Sequence, residues 1–281
     1  MRRFAVALVL LVVVLPGCGG GDADPSEPSV RATDSGPQHV HGLGINPSDG
    51  ALVIATHSGL FRAMPNERRA GRVGDLYQDT MGFTVVGPDQ FLGSGHPDAR
   101  ADLPPLLGLI RSQDGGRTWE PISLLGKADF HILRAAGRHV YGFEATQARL
   151  LVSGDGGRGW AERTPPAPLL DLAVDPRRVS HLVASGERGL FSSSDSGRRW
   201  RPLSRDMAGL LAWNDALYLA DAEGRVHRSG DAGRGWSAVG TVGGQPAAFT
   251  SYGRELYVAL HDGTVKHSAD GGRTWRVRVV A

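Results

Sequence analysis

The stretch Ser112-Gln-Asp-Gly-Gly-Arg-Thr-Trp119 decides the fold, because four variants of it follow along the chain. The five copies occupy residues 112–119, 153–160, 193–200, 229–236 and 268–275. Successive tryptophans are 41, 40, 36 and 39 residues apart, and five of the six Trp in the chain are used in this way. A fixed period of this size indicates one supersecondary unit repeated, with each unit burying its face against the next.

Each copy is predicted to form a tight turn between the third and fourth strands of its unit. The aspartate carboxylate can accept hydrogen bonds from backbone N–H groups a few residues on, and glycine supplies a positive φ without a Cβ penalty. The tryptophan then begins the next strand as a large apolar anchor. The residues expected to have this structural role are Asp114, Trp119, Asp155, Trp160, Asp195, Trp200, Asp231, Trp236, Asp270 and Trp275. A ligand or catalytic role for these aspartates is the alternative, but a residue that every repeat needs is more simply a fold residue.

The pattern Ser-x-Asp-x-Gly-x-[Thr/Gly/Arg]-Trp resembles the Asp-box, or BNR repeat, of sialidases, sortilin-type receptors and the photosystem II assembly propellers. The resemblance covers residues 38–281. It implies a β-propeller in which the repeated turns lie on the face away from the ligand. By this resemblance the chain would also be classed as a glycosyl hydrolase, although fold alone does not settle function.

The strand pattern predicts an all-β fold, a β-propeller with six blades. Each period holds four short apolar or alternating runs separated by Gly, Asp, Asn or Pro, as in a four-stranded blade. The innermost strands are expected to begin near His39, Thr80, Phe130, Leu169, Met207 and Ala247. The first unit lacks the repeated turn, and residues 68–75 stand where its last hairpin belongs. The pattern leaves open how the ring closes, because it shows no spare N-terminal strand.

The N-terminus has the pattern of a bacterial lipoprotein signal. Two arginines and a dozen apolar residues precede Leu15-Pro-Gly-Cys18, which resembles a lipobox, and Cys18 is the only cysteine. We expect a signal peptide over 1–17, an acylated Cys18 with a flexible tether over 18–37, and one domain over 38–281. The protein would then be a lipoprotein of the cell envelope, anchored on the extracytoplasmic face of the membrane. The alternative is a plain secretory signal with an incidental cysteine.

The charge balance disfavours nucleic acid as a partner. Without Arg2 and Arg3, which fall in the expected signal peptide, the 31 basic residues become 29 and equal the 29 acidic ones. Nucleic acid binding requires a basic face, and this chain has no block of like charge. We expect a monomer whose partner, apart from the membrane, is a small ligand, a glycan or a protein.

Histidines distant in sequence are predicted to meet at one mouth of the central channel. The start of a blade's first strand and the end of its second lie at the same mouth, because the two strands are antiparallel. A hand alignment of the units places there His39, His41 and His57, then Asp79, Met81 and His96, then Asp129 and His131. Glu187 and His261 take the position of His57 in later units. An insertion over 98–105 is either a lip over this mouth or an ordinary loop.

This composition points to a metal or ligand site. Imidazoles with a thioether suit copper, or zinc if Met81 is only a neighbour. The expected ligands are His39, His41, His57, Met81, His96 and His131, with Asp79, Asp129, Glu187 and His261 as supporting partners. Two alternatives are open: a histidine acting as acid or base on a bound ligand, and histidines that only fill a narrow channel with hydrogen bonds.

A sialidase-like hydrolase or carbohydrate-binding protein is the enzyme-class alternative. Sialidases use three arginines, a tyrosine nucleophile with a glutamate partner, and an aspartic acid. The nearest match to their first arginine motif, Leu60-Phe-Arg62-Ala-Met-Pro65, lacks the Ile-Pro pair and lies in a predicted third strand. No Tyr–Glu pair is evident, since Tyr141 and Glu144 have the odd spacing that puts them on opposite faces of a strand. A protein-docking or assembly role is the third alternative.

Overall fold

The computed structural model describes residues 36–280. The expected signal peptide, Cys18 and most of the tether lie outside the described residues. No helix in residues 36–280 is long and apolar enough to cross a lipid bilayer.

The described residues form six four-stranded antiparallel sheets, which are the blades of a propeller. Blade 1 comprises β1 (Val40–Ile45), β2 (Leu52–Thr56), β3 (Gly59–Ala63) and β4 (Gly71–Arg72). Blade 2 comprises β5 (Asp79–Gly87), β6 (Gln90–His96), β7 (Leu109–Ser112) and β8 (Glu120–Ser123). Blade 3 comprises β9 (Phe130–Ala136), β10 (His139–Glu144), β11 (Arg149–Ser153) and β12 (Ala161–Arg163).

The second half of the ring repeats this arrangement. Blade 4 comprises β13 (Leu169–Val174), β14 (Leu182–Gly186), β15 (Gly189–Ser193) and β16 (Arg201–Ser204). Blade 5 comprises β17 (Leu210–Trp213), β18 (Leu217–Ala220), β19 (Arg225–Ser229) and β20 (Ser237–Thr241). Blade 6 comprises β21 (Pro246–Tyr252), β22 (Glu255–Leu260), β23 (Val265–Ser268) and β24 (Arg276–Val279). The predicted six-bladed all-β fold is confirmed, and the first strand of each blade begins within three residues of its expected position.

The five repeated turns join the third and fourth strands of blades 2 to 6. In every copy the serine Oγ donates to the aspartate Oδ1 at 2.7–2.9 Å. The same Oγ accepts the N–H of the glycine four residues after the serine at 2.8–2.9 Å. The aspartate Oδ1 also accepts the backbone N–H of the residue just before the tryptophan. These bonds satisfy backbone groups that the tight turn would otherwise leave unpaired.

Six apolar clusters make up the core, and each lies between two neighbouring blades. Val53, Leu60, Phe83 and Phe91 belong to the cluster between blades 1 and 2, for example, and Trp119 packs against it. The other four repeat tryptophans pack in the same way at the next four interfaces. Each tryptophan, although only partly buried, thus anchors its turn to the preceding blade through apolar contact.

The ring closes between blades 6 and 1, and this interface has no repeat tryptophan because blade 1 lacks the turn. The guanidinium of Arg278 on β24 donates to the carbonyl oxygens of Ala63, Met64 and Glu67 at 2.6–3.1 Å. The N–H of Val280 donates to the carbonyl of Arg68 at 2.9 Å. Every blade consists of four consecutive strands, so closure relies on these side-by-side contacts and needs no exchanged strand.

Candidate functional site

The first strands of five blades each contain a β-bulge at the same level. The pairing register skips His41 in β1, Met81 in β5, His131 in β9, Leu170 in β13 and Ala247 in β21. A bulge leaves one residue without a cross-strand partner and re-aims its side chain. All five of these residues line one central cavity of about 230 Å³. The sequence argument placed His41 and His131 on the same strand faces as the residues two positions earlier, but the bulge breaks that alternation.

His41 and His131 therefore lie at the same end of the channel, as predicted, and Met81 lines the same cavity. A second cavity, of about 400 Å³, is formed by the other ends of the first strands and includes Trp213. Arg134 lines both cavities.

His41, His57 and Asp79 form the tightest group of candidate ligands. The Nδ1 atom of His57 lies 2.8 Å from Oδ2 of Asp79, and Nε2 of His41 lies 3.6 Å from Oδ1 of the same carboxylate. One donor atom from each of the three residues falls within 4.8 Å of the other two. Asp79 is the first residue of blade 2, whereas both histidines belong to blade 1, so the group bridges two blades.

The local structure fixes each member of this first group. His57 lies in the turn after β2, where Thr56 Oγ1 accepts the N–H of Ser58 and donates to the carbonyl of Gly59. His41 is held by the bulge of β1. The side chain of Asp79 is 13% exposed, that of His41 25% and that of His57 68%, so the group reaches from a mostly covered carboxylate to an open rim.

Asp129, His131 and His96 form a second group at the next blade interface. The Nε2 atom of His131 donates to Oδ2 of Asp129 at 2.8 Å, and Nε2 of His96 lies 3.6 Å from the same oxygen. The other nitrogen of His96, Nδ1, lies 2.9 Å from the carbonyl oxygen of Pro105. Pro105 ends the 98–105 insertion, so this segment does contact the mouth.

Two histidines of the mouth have pKa values shifted in opposite directions. Burial lowers the pKa of His41, the Asp79 carboxylate opposes this effect, and the neighbouring His57, His131 and His39 lower the pKa further. A neutral imidazole is the form that binds metal ions. Buried Nε2 of His41 and Oδ1 of Asp79 both lack a hydrogen-bond partner. By contrast, the hydrogen bond that His131 donates to Asp129 raises the pKa of His131, and burial partly opposes this effect.

The remaining candidate residues take different positions. The imidazole of His39 lies 6.3 Å from that of His57, centroid to centroid, on an exposed residue with a φ of 51°. Glu187 and His261 align with His57 but are exposed. Among residues 36–280, no side-chain hydrogen bond or ion pair connects Glu187 or His261 to the histidine groups.

The sequence argument missed an ion pair inside the channel. A side-chain nitrogen of Arg134 lies 2.6 Å from Oδ1 of buried Asp171, whose carboxylate also accepts the N–H groups of Leu172 and Leu211. Burial raises the pKa of Asp171, and Arg134 opposes this effect. The sequence feature that could have revealed this ion pair is Asp171, a single acidic residue within the otherwise apolar strand β13.

The sialidase motif is incomplete in the described residues. Arg62 lies in β3, as expected, and its guanidinium pairs with Asp49. Tyr141 is fully buried and donates to the carbonyl of Val179. The search for a Tyr–Glu pair overlooked Tyr257, which donates to Glu255 at 2.5 Å, but neither residue lines the central cavities.

Sequence comparison finds similarity to part of one curated protein. No family model matches the sequence. The dispase autolysis-inducing protein of Streptomyces mobaraensis is 30% identical over 98 residues, which are 34% of this chain and 26% of that protein. The chain thus matches about a quarter of the length of this curated relative.

Two solved structures share the architecture. A GH74 enzyme from Niastella koreensis has a TM-score of 0.61 and 15% identity over 86% of this chain and 45% of its own. YCF48 from Cyanidioschyzon merolae has a TM-score of 0.52 and 15% identity over 86% of this chain and 85% of its own. At such identities the similarity shows the fold alone. The chain is a six-bladed β-propeller with structural neighbours among GH74 and YCF48 proteins.

Proposed function

We propose that this propeller is a metal-binding protein that holds a copper or zinc ion at its histidine-lined mouth. The ligands are His41, His57 and Asp79. Two imidazoles and one carboxylate are a donor set that transition-metal ions accept readily, and zinc enzymes use such a set with an open fourth position. Met81 lines the adjoining cavity, and its thioether adds a soft donor that favours copper.

The observation that carries this proposal is the geometry of the donor atoms. Atoms bound to one tetrahedral ion at about 2.0–2.1 Å lie about 3.3–3.5 Å apart. The two histidines lie 3.6 Å from Oδ1 and 2.8 Å from Oδ2 of Asp79, and one donor atom from each of the three residues lies within 4.8 Å of the other two. The unpaired Nε2 of His41 and Oδ1 of Asp79 supply the two buried donor atoms that an ion would satisfy. Small rotations of the three side chains are then sufficient for binding.

The site combines a rigid base with an open rim. His41 and Asp79 project from strands of two packed blades, which supports a fixed geometry, while His57 is 68% exposed. An ion can therefore exchange with the solvent without any opening of the fold. We propose that lipid attachment at Cys18 holds this site at the extracytoplasmic face of the membrane, where the protein binds metal ions of the cell envelope.

Metal titration tests the proposal. Protein purified without a polyhistidine tag and stripped with chelator is titrated with Zn²⁺ and with Cu²⁺ by calorimetry. We expect His57→Ala and Asp79→Asn to weaken binding at this site by more than about 100-fold, since loss of outer partners of a metal site already costs about 10–100-fold. His261→Ala is the matched control, because it removes an exposed histidine from the same position of blade 6. Equal binding by the wild type and His57→Ala would overturn the proposal.

A further inference from the structure

The second group at the mouth brings an imidazole nitrogen close to a carboxylate oxygen. A carbonyl oxygen accepts hydrogen bonds and does not donate, so the contact with Pro105 places the proton of neutral His96 on Nδ1. The Nε2 atom of neutral His96 then carries a lone pair. This atom lies 3.6 Å from Oδ2 of Asp129, which is also an acceptor. A cation bound to both atoms would satisfy them.

The carboxylate of Asp129 has capacity for such a cation. Its side chain is 6% exposed, and its Oδ1 atom is buried without a hydrogen-bond partner. Only His131 donates to this carboxylate among the described residues, at 2.8 Å from Oδ2. A nearly buried carboxylate with so few donors is costly to desolvate unless a positive charge is close.

We propose that Asp129, His131 and His96 bind a second divalent transition-metal ion, which displaces the proton that His131 donates to Asp129, so that the mouth holds two. This inference extends the proposed function, on which it rests for the identity of the metal. The carbonyl of Pro105 orients His96 through its Nδ1–H, which is the usual way in which the free nitrogen of a metal-binding histidine is held. The 98–105 insertion thereby positions a ligand.

The two groups share a histidine–aspartate pair at successive blade interfaces. His57 and His96 follow or end the second strand of their blades, and each lies near the aspartate at the start of the next blade, at 2.8 Å in the first group and 3.6 Å in the second. The third residue differs, because His41 belongs to the blade of His57 whereas His131 belongs to the blade of Asp129. This pairing stops at the following interface, where Pro168 takes the place of the aspartate.

The groups also differ in one respect. The donor atoms of the first group all lie within 4.8 Å of one another, whereas the second group is wider. The side chains of His96 and His131 are 44% and 42% accessible, so both rings can be reached by an ion from the solvent. Binding at the second group is therefore expected to be the weaker of the two.

Zinc stoichiometry tests the inference. Stripped, untagged protein is titrated with Zn²⁺, and bound metal is counted by elemental analysis after gel filtration. We expect two equivalents for the wild type and for His261→Ala, one for His57→Ala, one for His96→Ala, and none for the double variant. Asp129→Asn, which preserves the size of the side chain, is expected to lose the same equivalent as His96→Ala and guards against a folding defect in that variant.

The outcomes separate this inference from the proposed function. If the wild type binds one equivalent of zinc, and His57→Ala loses it while His96→Ala keeps it, the second site is overturned and the first remains. One equivalent that is lost in both variants means a single shared ion and also overturns the second site. One equivalent that is lost only in His96→Ala overturns the first site, and no bound metal with Zn²⁺ or, in a repeat titration, with Cu²⁺ overturns both.

Discussion

The Nδ1 atom of His57 lies 2.8 Å from Oδ2 of Asp79, although the two residues belong to different blades. An ion bound by this pair and His41 would tie blade 1 to blade 2 at the mouth of the channel. Metal binding at this proposed site would therefore be coupled to the stability of a blade interface, because only the assembled ring brings the three residues together.

Zinc is expected to raise the unfolding temperature of the protein. A ligand at 100 times its Kd stabilises the folded state by about 2.7 kcal/mol, which corresponds to about 5–10 °C for a domain of this size. Differential scanning calorimetry with Zn²⁺ and then with excess chelator measures the change. His261→Ala should respond like the wild type, whereas most of the gain should disappear in a His57→Ala/His96→Ala variant. An equal rise in the unfolding temperature of the double variant would show that zinc binds elsewhere on the protein.

Ser153→Ala is expected to destabilise the fold by about 1–3 kcal/mol, because it leaves a buried N–H group unsatisfied. Ser153 is 1% exposed, accepts the N–H of Gly157 and donates to Asp155. Urea denaturation measures the loss. The control is Ser237→Ala, which changes an exposed serine at the start of β20 in blade 5. Equal midpoints for the two variants would show that the repeated turns contribute little stability.

Arg278→Ala is expected to loosen the closure between blades 6 and 1. The variant removes a charged donor from three backbone carbonyls, and each hydrogen bond to a charged group contributes about 1.5–3 kcal/mol. Hydrogen exchange should increase in 63–72 and 276–280 while blades 3 and 4 stay protected. Arg276→Ala, on the same strand but exposed, provides the comparison. A uniform increase around the ring would argue against local closure at this interface.

Stability is expected to fall as the pH drops from about 4 to about 2. The pKa of Asp195 is lowered to about 2, mainly by the hydrogen bond that its carboxylate accepts from the backbone N–H of Arg199. Burial opposes this shift. The folded pKa lies below the unfolded value, so the unfolded state binds more protons in this window and stability is lost as pH falls. The other repeat aspartates are shifted in the same direction. Urea midpoints of Asp195→Asn should depend less on pH than those of the wild type.

The repeat made the architecture predictable from sequence. Turn residues and tryptophans recur at a nearly constant period, and each blade is a local unit, so strand order follows from chain order. Ring closure was not predictable, because it depends on contacts between Arg278 and residues 63–67 that no periodicity marks. The shift of β17 from Met207 to Leu210 reflects a loop that the apolar pattern does not distinguish from a strand.

The site was predictable only in outline. The alignment identified the histidines and aspartates, but the bulges that aim His41 and His131 depend on pairing register, which the alternation of side chains did not reveal. The alignment also assigned His261 to the site, because His261 takes the position of His57 in blade 6. The residue that lies next to this position, however, comes from the following blade in the ring. Asp79 follows blade 1 in the ring, whereas blade 6 is followed by His39 in the equivalent position. Equivalent positions in sequence therefore have different neighbours in space.

Anomalous diffraction from zinc-soaked crystals of the wild-type protein is the most direct test of the central claim. The account predicts a peak at the zinc edge about 2 Å from Nε2 of His41, Nδ1 of His57 and a carboxylate oxygen of Asp79. Crystals that contain ordered side chains at this mouth and no anomalous peak between them would contradict it.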